Sequence, residues 1–246
     1  MTNTIYKILE NERIAKGTYR MILGGDTSGI RNCGQFVNIK LEGFYLRRPI
    51  SVCDYDAKTL TLIYKTVGNG TEYMSTLPVG SELDILVGLG NGFDLSKSGE
   101  TPLLVGGGVG APPMYNLCKK LTESGKKPTV LLGFKTAEEV FYEKEFADLG
   151  ANVIVVTEDG STGEKGMVTD VIPKLDYSYF YACGPMAMLK AMSGIMKTEG
   201  EYSFEQRMGC GFGACMGCSC KTKNGFKRIC REGPVLMSEE IIWEEM

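Results

Sequence analysis

Five cysteines stand close together in MGCGFGACMGCSCKTKNGFKRIC, residues 208–230, whereas the rest of the 246-residue chain holds four. Thiolates are soft metal ligands. The spacing C-x4-C-x2-C over Cys210, Cys215 and Cys218, followed by a later fourth cysteine, is the plant-type arrangement that holds a 2Fe–2S cluster. Structural zinc is the competing use, but zinc loops favour two short C-x2-to-x4-C pairs, and Cys218 to Cys230 encloses eleven residues. The chain has no histidine, which excludes a Rieske centre and leaves an all-cysteine cluster of low potential. Gly209, Gly211, Gly213 and Gly217 alternate with the ligands, so the backbone can approach closely and aim N–H groups at sulfur.

One of the five thiols is spare. Asn224-Gly225 signals a two-residue hairpin turn, which sets Cys220 opposite Ile229 and on the other face from Cys230. The expected ligands are therefore Cys210, Cys215, Cys218 and Cys230, with Cys218 at the point where strand gives way to glycine loop.

A cluster stores an electron that something else must supply. Residues 101–205 alternate apolar strands (PLLVGG, TVLLGF, NVIVVT, YFYACG) with helix-like segments (MYNLCKKLTESG, AEEVFYEKEFADLG, GMVTDVIPKL), the rhythm of a doubly wound parallel sheet. GGGVGAPP (106–113) follows the first strand and opens the first helix, where a phosphate-binding turn belongs, through Gly107, Gly108, Gly110, Ala111 and Pro112. CGPM (Cys183, Gly184, Pro185, Met186) ends a later strand at the same carboxyl edge. A tight turn without ligand and a core cysteine before a capped helix are the plain alternatives. No acidic residue stands about 20 positions beyond the glycines, where Gly133, Phe134 and Lys135 are found instead, so an ordinary dehydrogenase is disfavoured.

The first hundred residues differ: QFVNIKL, PISVCDY, LTLIYKTV and ELDILVGLG, spaced by Gly, Asn and Asp, predict an antiparallel sheet or barrel. VGNGT reads as a glycine turn, and FDLSKSGETP as a linker. YLRRPIS sets two arginines before a strand, suited to a pyrophosphate or simply an exposed basic pair. At 43% hydrophobic and 23% charged the chain is globular, and a net charge of −3 gives no reason to expect nucleic acid. No apolar run is long enough to cross a bilayer, and the first residues do not read as a signal peptide. An odd number of cysteines bunched at one end suits a reducing cytoplasm over a disulfide framework.

Taken in order, R-P-I-S (48–51), GGGVGAPPMY (106–115), CGPM (183–186) and the C-terminal cysteines with REGPV (231–235) resemble the electron-transfer subunit of the NAD-linked, two-subunit dihydroorotate dehydrogenase, within the ferredoxin reductase superfamily. The resemblance covers nearly the whole chain. It implies an FAD-binding β-barrel domain over 1–97, an NAD-binding α/β domain over 98–205 and a 2Fe–2S domain over 206–246. It assigns FAD to Arg48, Pro49, Ile50 and Ser51, with Ile63, Tyr64, Lys65, Gly70 and Thr71, and NAD to the GGGVGAPP and CGPM turns. It further implies an FMN-containing catalytic partner in a heterotetramer of two of each, with electrons from dihydroorotate passing through the cluster and FAD to NAD+ in pyrimidine synthesis. No side chain need then act as acid or base. The cysteine loop and the tail GPVLMSEEIIWEEM are expected at the partner interface with Trp243 as an anchor, or else the tail packs on its own domain. The alternatives are a flavin/iron–sulfur subunit of a ferredoxin:NAD(P) oxidoreductase or sulfur reductase, and a zinc-stabilised nucleotide-binding module without redox work.

Overall fold

A computed structural model describes residues 1–246. Six strands, β1 (Thr2–Ala15), β2 (Thr18–Gly24), β3 (Phe36–Ile39), β4 (Arg48–Tyr55), β5 (Thr59–Lys65) and β6 (Glu82–Leu89), form a closed antiparallel barrel in the order β1-β2-β5-β4-β3-β6. The period-2 pattern decides which side chains fill it: along β6, Leu83, Ile85 and Val87 point inward, while Glu82 and Asp84 do not. The VGNGT segment is more than a turn. Its Asn69 opens helix α1 (Asn69–Thr76), whose buried Met74 joins the barrel core while Asn11 Nδ2 caps the Met74 and Leu77 carbonyls at 2.9 and 3.1 Å.

The second unit runs β7 (Leu103–Gly107), α2 (Ala111–Glu123), β8 (Thr129–Phe134), α3 (Glu143–Asp148), β9 (Asn152–Thr157), β10 (Glu164–Lys165), α4 (Val168–Val171), β11 (Phe180–Cys183), α5 (Met186–Ser193) and β12 (Gly200–Ser203). A hairpin, β13 (Ser219–Thr222) and β14 (Gly225–Arg228), and then β15 (Val235–Met237) follow. The sheet order is β10-β9-β8-β7-β11-β12-β15, parallel except for β15, which lies antiparallel on β12. Apolar residues cover both faces, as a buried parallel strand requires: Leu103 and Val105 of β7 face α4, α5 and the cysteine segment, while Leu104 faces α2 and the barrel's Cys53 and Ile63.

One expectation needs correction. The hairpin turn is not centred on Asn224-Gly225: Thr222 pairs with Gly225, and Cys220 lies opposite Lys227, not Ile229. Asn224 keeps a negative φ and only Gly225 is left-handed (φ 100°), so the two-residue turn is Lys223-Asn224 and not the doubly left-handed Asn224-Gly225 type. The pairing moves by two residues, so the face on which Cys220 lies is unchanged. The tail packs back onto the sheet and the hairpin, close to the second of its two expected placements. Trp243 meets Tyr202 edge-on at 5.2 Å and Phe204 at 6.0 Å, Ile241 is buried, and the Glu240 carboxylate accepts from Lys227 Nζ at 2.5 Å and Asn224 Nδ2 at 3.2 Å. No helix is long and apolar enough to cross a membrane.

Candidate functional site

Strand order reverses between β7 and β11, which pair in parallel with Cys183 beside Gly106. Open α/β sheets bind ligands at the carboxyl edge of such a switch point. The GGGVG and CGPM turns meet there. Gly110 lies so tight against the loop after β11 that a Cβ would stand 2.1 Å from the Cys183 carbonyl oxygen, and a Cβ on Gly107 would strike Met188 Sδ at 2.5 Å. The first turn of α2 offers few free donors, because Pro112 and Pro113 have none and the Ala111 N–H already bonds Gly108 O. Of this turn, Gly108 alone has open space where a Cβ would stand.

Facing the CGPM turn is a cleft of about 560 Å³, lined by Arg47, Arg48 and Pro49 from the barrel, Gly184, Pro185 and Met186 after β11, and Glu205–Met208 at the entry to the cysteine segment. That volume suits a small molecule or cofactor. Arg48 is held by three features: Nη1 donates to Leu46 O at 2.6 Å, the guanidinium lies 4.9 Å over the Phe44 ring, and Gly70 leaves room that a side chain would fill, at 2.0 Å from Nε. Thr71 Oγ1 accepts from Val67 N and donates to Gly68 O, both at 3.0 Å, which shapes the loop at the head of α1. Arg48, Gly70 and Thr71 are therefore brought together, with Pro49 on the cleft wall and Ile50 and Ser51 half-buried along β4. Other residues expected beside them are engaged elsewhere. Tyr64 turns into the barrel, where its hydroxyl donates to Asn11 Oδ1 at 2.9 Å, Ile63 packs beneath the sheet, and Lys65 pairs with Glu139 at 3.2 Å.

The cysteines form two pairs. The loop folds back so that Cys210 N and Gly217 N point at Cys215 Sγ at 3.5 Å, and Ala214 N and Cys215 N point at Cys210 Sγ at 3.2 and 3.4 Å. Cys230 N points at Cys218 Sγ at 3.4 Å, and both of these thiols are buried. No group of three or more Cys, Asp or Glu side chains converges on one point. Burial raises the Cys210 thiol, but the backbone N–H groups of Cys215, Phe212 and Ala214 outweigh it and bring it down to about 6. Burial and then neighbouring Cys218 push Cys230 up to about 12. Cys220 joins neither pair: its buried thiol donates to its own hairpin's Lys227 carbonyl at 3.5 Å. Four thiols with N–H groups aimed at sulfur, and no imidazole, fit an iron–sulfur cluster in donor chemistry.

Residues 205–242 match the family described as the iron-sulfur cluster binding domain of dihydroorotate dehydrogenase B, and residues 104–194 match the oxidoreductase NAD-binding domain. A Fusobacterium nucleatum protein named dihydroorotate dehydrogenase B (NAD(+)), electron transfer subunit, is 44% identical over 249 residues, covering 94% of this chain and 95% of its own. The chain belongs to that family. A dihydroorotate dehydrogenase B electron transfer subunit from Bacillus mycoides is 42% identical, with 96% of each chain covered. Among solved structures, the NADH-dependent reduced ferredoxin-NADP oxidoreductase, studied for flavin-based electron bifurcation, superposes with a TM-score of 0.88 at 28% identity, over 97% of this chain and 90% of that one. Flavohemoglobin from Malassezia yamatoensis, solved with bound FAD and heme, shares the fold alone: TM-score 0.67, 17% identity, 79% of this chain and 56% of that one.

Sequence reasoning missed the residues that fix the cysteine segment in place. Arg228 Nη1 donates to Gly213 O at 2.7 Å while its Nε holds Glu232 Oε2 at 2.8 Å, tying the hairpin to the loop. Asn91, just after β6, donates to Glu232 O at 3.1 Å and Val235 O at 2.8 Å and accepts from Val235 N at 3.1 Å. An arginine and an asparagine carry no spacing that marks such contacts. Only the closeness of Arg228 and Glu232, i to i+4 around Cys230, hinted at one.

Proposed function

We propose that this chain is the electron-transfer subunit of a dihydroorotate dehydrogenase, relaying electrons from an FMN-containing partner through a 2Fe–2S cluster and FAD to NAD+, in a cytoplasmic assembly of two subunits of each kind. The observation that carries the reading is the single cleft in which Arg48, the CGPM turn and the entry to the cysteine loop meet. Bound there, FAD supplies hydride exchange with nicotinamide and single-electron exchange with the cluster. The chain's own residues orient and enclose. Arg48 offers a pre-positioned cation for a pyrophosphate, Gly107, Gly108 and Gly184 let backbone approach the nicotinamide nucleotide, and Ala111, Pro112, Cys183, Pro185 and Met186 frame that approach. Cys210, Cys215, Cys218 and Cys230 are the cluster ligands. The pairing of the thiols, with the Cys220 thiol bonded instead to its own hairpin, supports that choice. The proposed domain limits are 1–97, 98–205 and 206–246, with β15 of the last pairing with β12 of the sheet.

Spectra of protein purified without air test the proposal. Flavin bands and a 2Fe–2S electron resonance signal after reduction are expected, with NADH reducing artificial acceptors and no dihydroorotate oxidation until the partner subunit is added. Oxidation of dihydroorotate by the isolated chain, or zinc in place of iron, overturns it. The likeness to the ferredoxin-NADP oxidoreductase favours a second reading, with ferredoxin as the electron partner. Co-purification with an iron–sulfur protein instead of a flavin-containing one would establish that reading.

A further inference from the structure

Asn38 lies on β3 across from Pro49 of β4, and only 1% of its surface is exposed. Its Nδ2 donates to the Cys210 carbonyl at 3.3 Å. Gly211, left-handed at φ 76°, comes so near that a Cβ would stand 2.2 Å from that nitrogen. The backbone carbonyl of Asn38 accepts from Arg47 Nη1 at 3.3 Å, and the same arginine nitrogen reaches the Asp84 carbonyl at 3.0 Å. One run of contacts thus leads from the first cysteine of the loop to the neighbour of Arg48. The arrangement has a visible cost, since Asn38 Oδ1 is buried without a hydrogen-bond partner. An orphan acceptor destabilises a fold, and leucine, of nearly the same shape, would avoid it. Packing alone therefore gives no reason for an amide here.

We propose that Asn38 is a positioning residue that ties the Cys210 carbonyl to the β3–β4 strand pair bearing the flavin-site residues, so that the cysteine loop keeps a fixed place relative to them. This rests on the reading of Cys210 as a cluster ligand. The test is Asn38→Leu in the full chain. The thermal midpoint of the unloaded protein should equal or exceed that of wild type, because the orphan acceptor is gone. Amide exchange over residues 210–217 should nevertheless accelerate roughly fivefold, the factor that one ordinary net hydrogen bond is worth. After reconstitution, the electron resonance signal of the reduced cluster should shift or broaden at unchanged flavin content. If Asn38→Leu does not accumulate, Asn38→Ala, which adds no atom beside Gly211, carries the same comparison. Unchanged loop exchange and an unchanged signal overturn the proposal, as does a lowered midpoint with exchange faster throughout the barrel, which marks a purely structural role. A wild-type chain that takes up no 2Fe–2S cluster overturns the ligand reading instead, and loop exchange then decides the Asn38 tie alone.

Discussion

The two thiol pairs are chemically alike and physically opposite. Cys210 and Cys215 sit on an irregular glycine loop, half-buried and exposed respectively, and local backbone N–H groups set the direction of their sulfurs. Cys218 and Cys230 are 3% and 2% exposed and pack with Ile229, Leu236 and Ile241 beneath the sheet, so the core positions them. In the cluster site proposed above, one half is set by hydrogen bonding and the other by burial. Removing a ligand should therefore have different consequences on the two sides: the outer pair answers only to the cluster, whereas the inner pair also answers to the fold.

The largest effect sharpens that contrast. Cys230→Ser and Cys215→Ser should both lose the normal cluster signal, but only Cys230→Ser should destabilise the unloaded chain, by about 1–3 kcal/mol, because it buries a hydroxyl where a thiol packed. Urea melts of the apo proteins check it, and equal midpoints would erase the distinction. Arg48→Ala comes next. It should cut FAD retention roughly tenfold to a hundredfold, as loss of a charge-assisted contact of about 1.5–3 kcal/mol implies, without moving either thiol pair. Flavin content after dialysis, together with cluster content, reads both halves of that statement.

A third prediction perturbs the far face of β12, the strand whose Tyr202 shares a core with the inner pair, without touching sulfur. Glu201 on β12 accepts from Asp94 N at 3.0 Å, and burial pushes its carboxyl from the ordinary 4.5 up to about 7. Between those values the folded chain binds more protons than the unfolded one. Stability therefore falls as pH rises through this window and is flat above it. Glu201→Gln should raise stability at pH 8 by about 1–2 kcal/mol, allowing for partial screening, and change little at pH 4. Thermal melts at the two pH values test the sign. Cluster retention that tracked this change would show that the outer pair, too, depends on the core. The smallest effect concerns the bridge between the pairs: Arg228→Ala frees Gly213 O and should speed cluster loss to a chelator severalfold, while the melting of the apo chain barely moves.

The same division explains what could be read from the sequence. Period-2 alternation in ELDILVGLG and the apolar runs PLLVGG, TVLLGF, NVIVVT and YFYACG mark strands because burial on one face or two leaves a local pattern. Cysteine spacing marks the metal chemistry in the same local way. Three-dimensional partners leave none. Nothing in SEEIIWEEM announces that Trp243 meets Tyr202, nor does QFVNIKL show that Asn38 reaches Cys210. The hairpin lies between these cases: Asn224-Gly225 located the turn, but its register, with Thr222 opposite Gly225 and Thr222 Oγ1 donating to Gly225 O at 2.8 Å, was not legible from the dipeptide.

The edge strand β15 has a consequence for how the molecule is made. Of the sheet's seven strands it is the last to be synthesised, and it pairs with β12, completed thirty-two residues earlier (235 − 203). At about 5–20 residues per second, a growing chain carries an unpaired β12 edge for roughly two to six seconds. The intervening residues are those that carry all five clustered cysteines. An open strand edge invites pairing with another nascent chain. The ribosome therefore releases the thiols just before the strand that closes the sheet over them, and a polypeptide cut short inside this interval would display a sticky edge beside free sulfur, a recognisable substrate for chaperones and proteases.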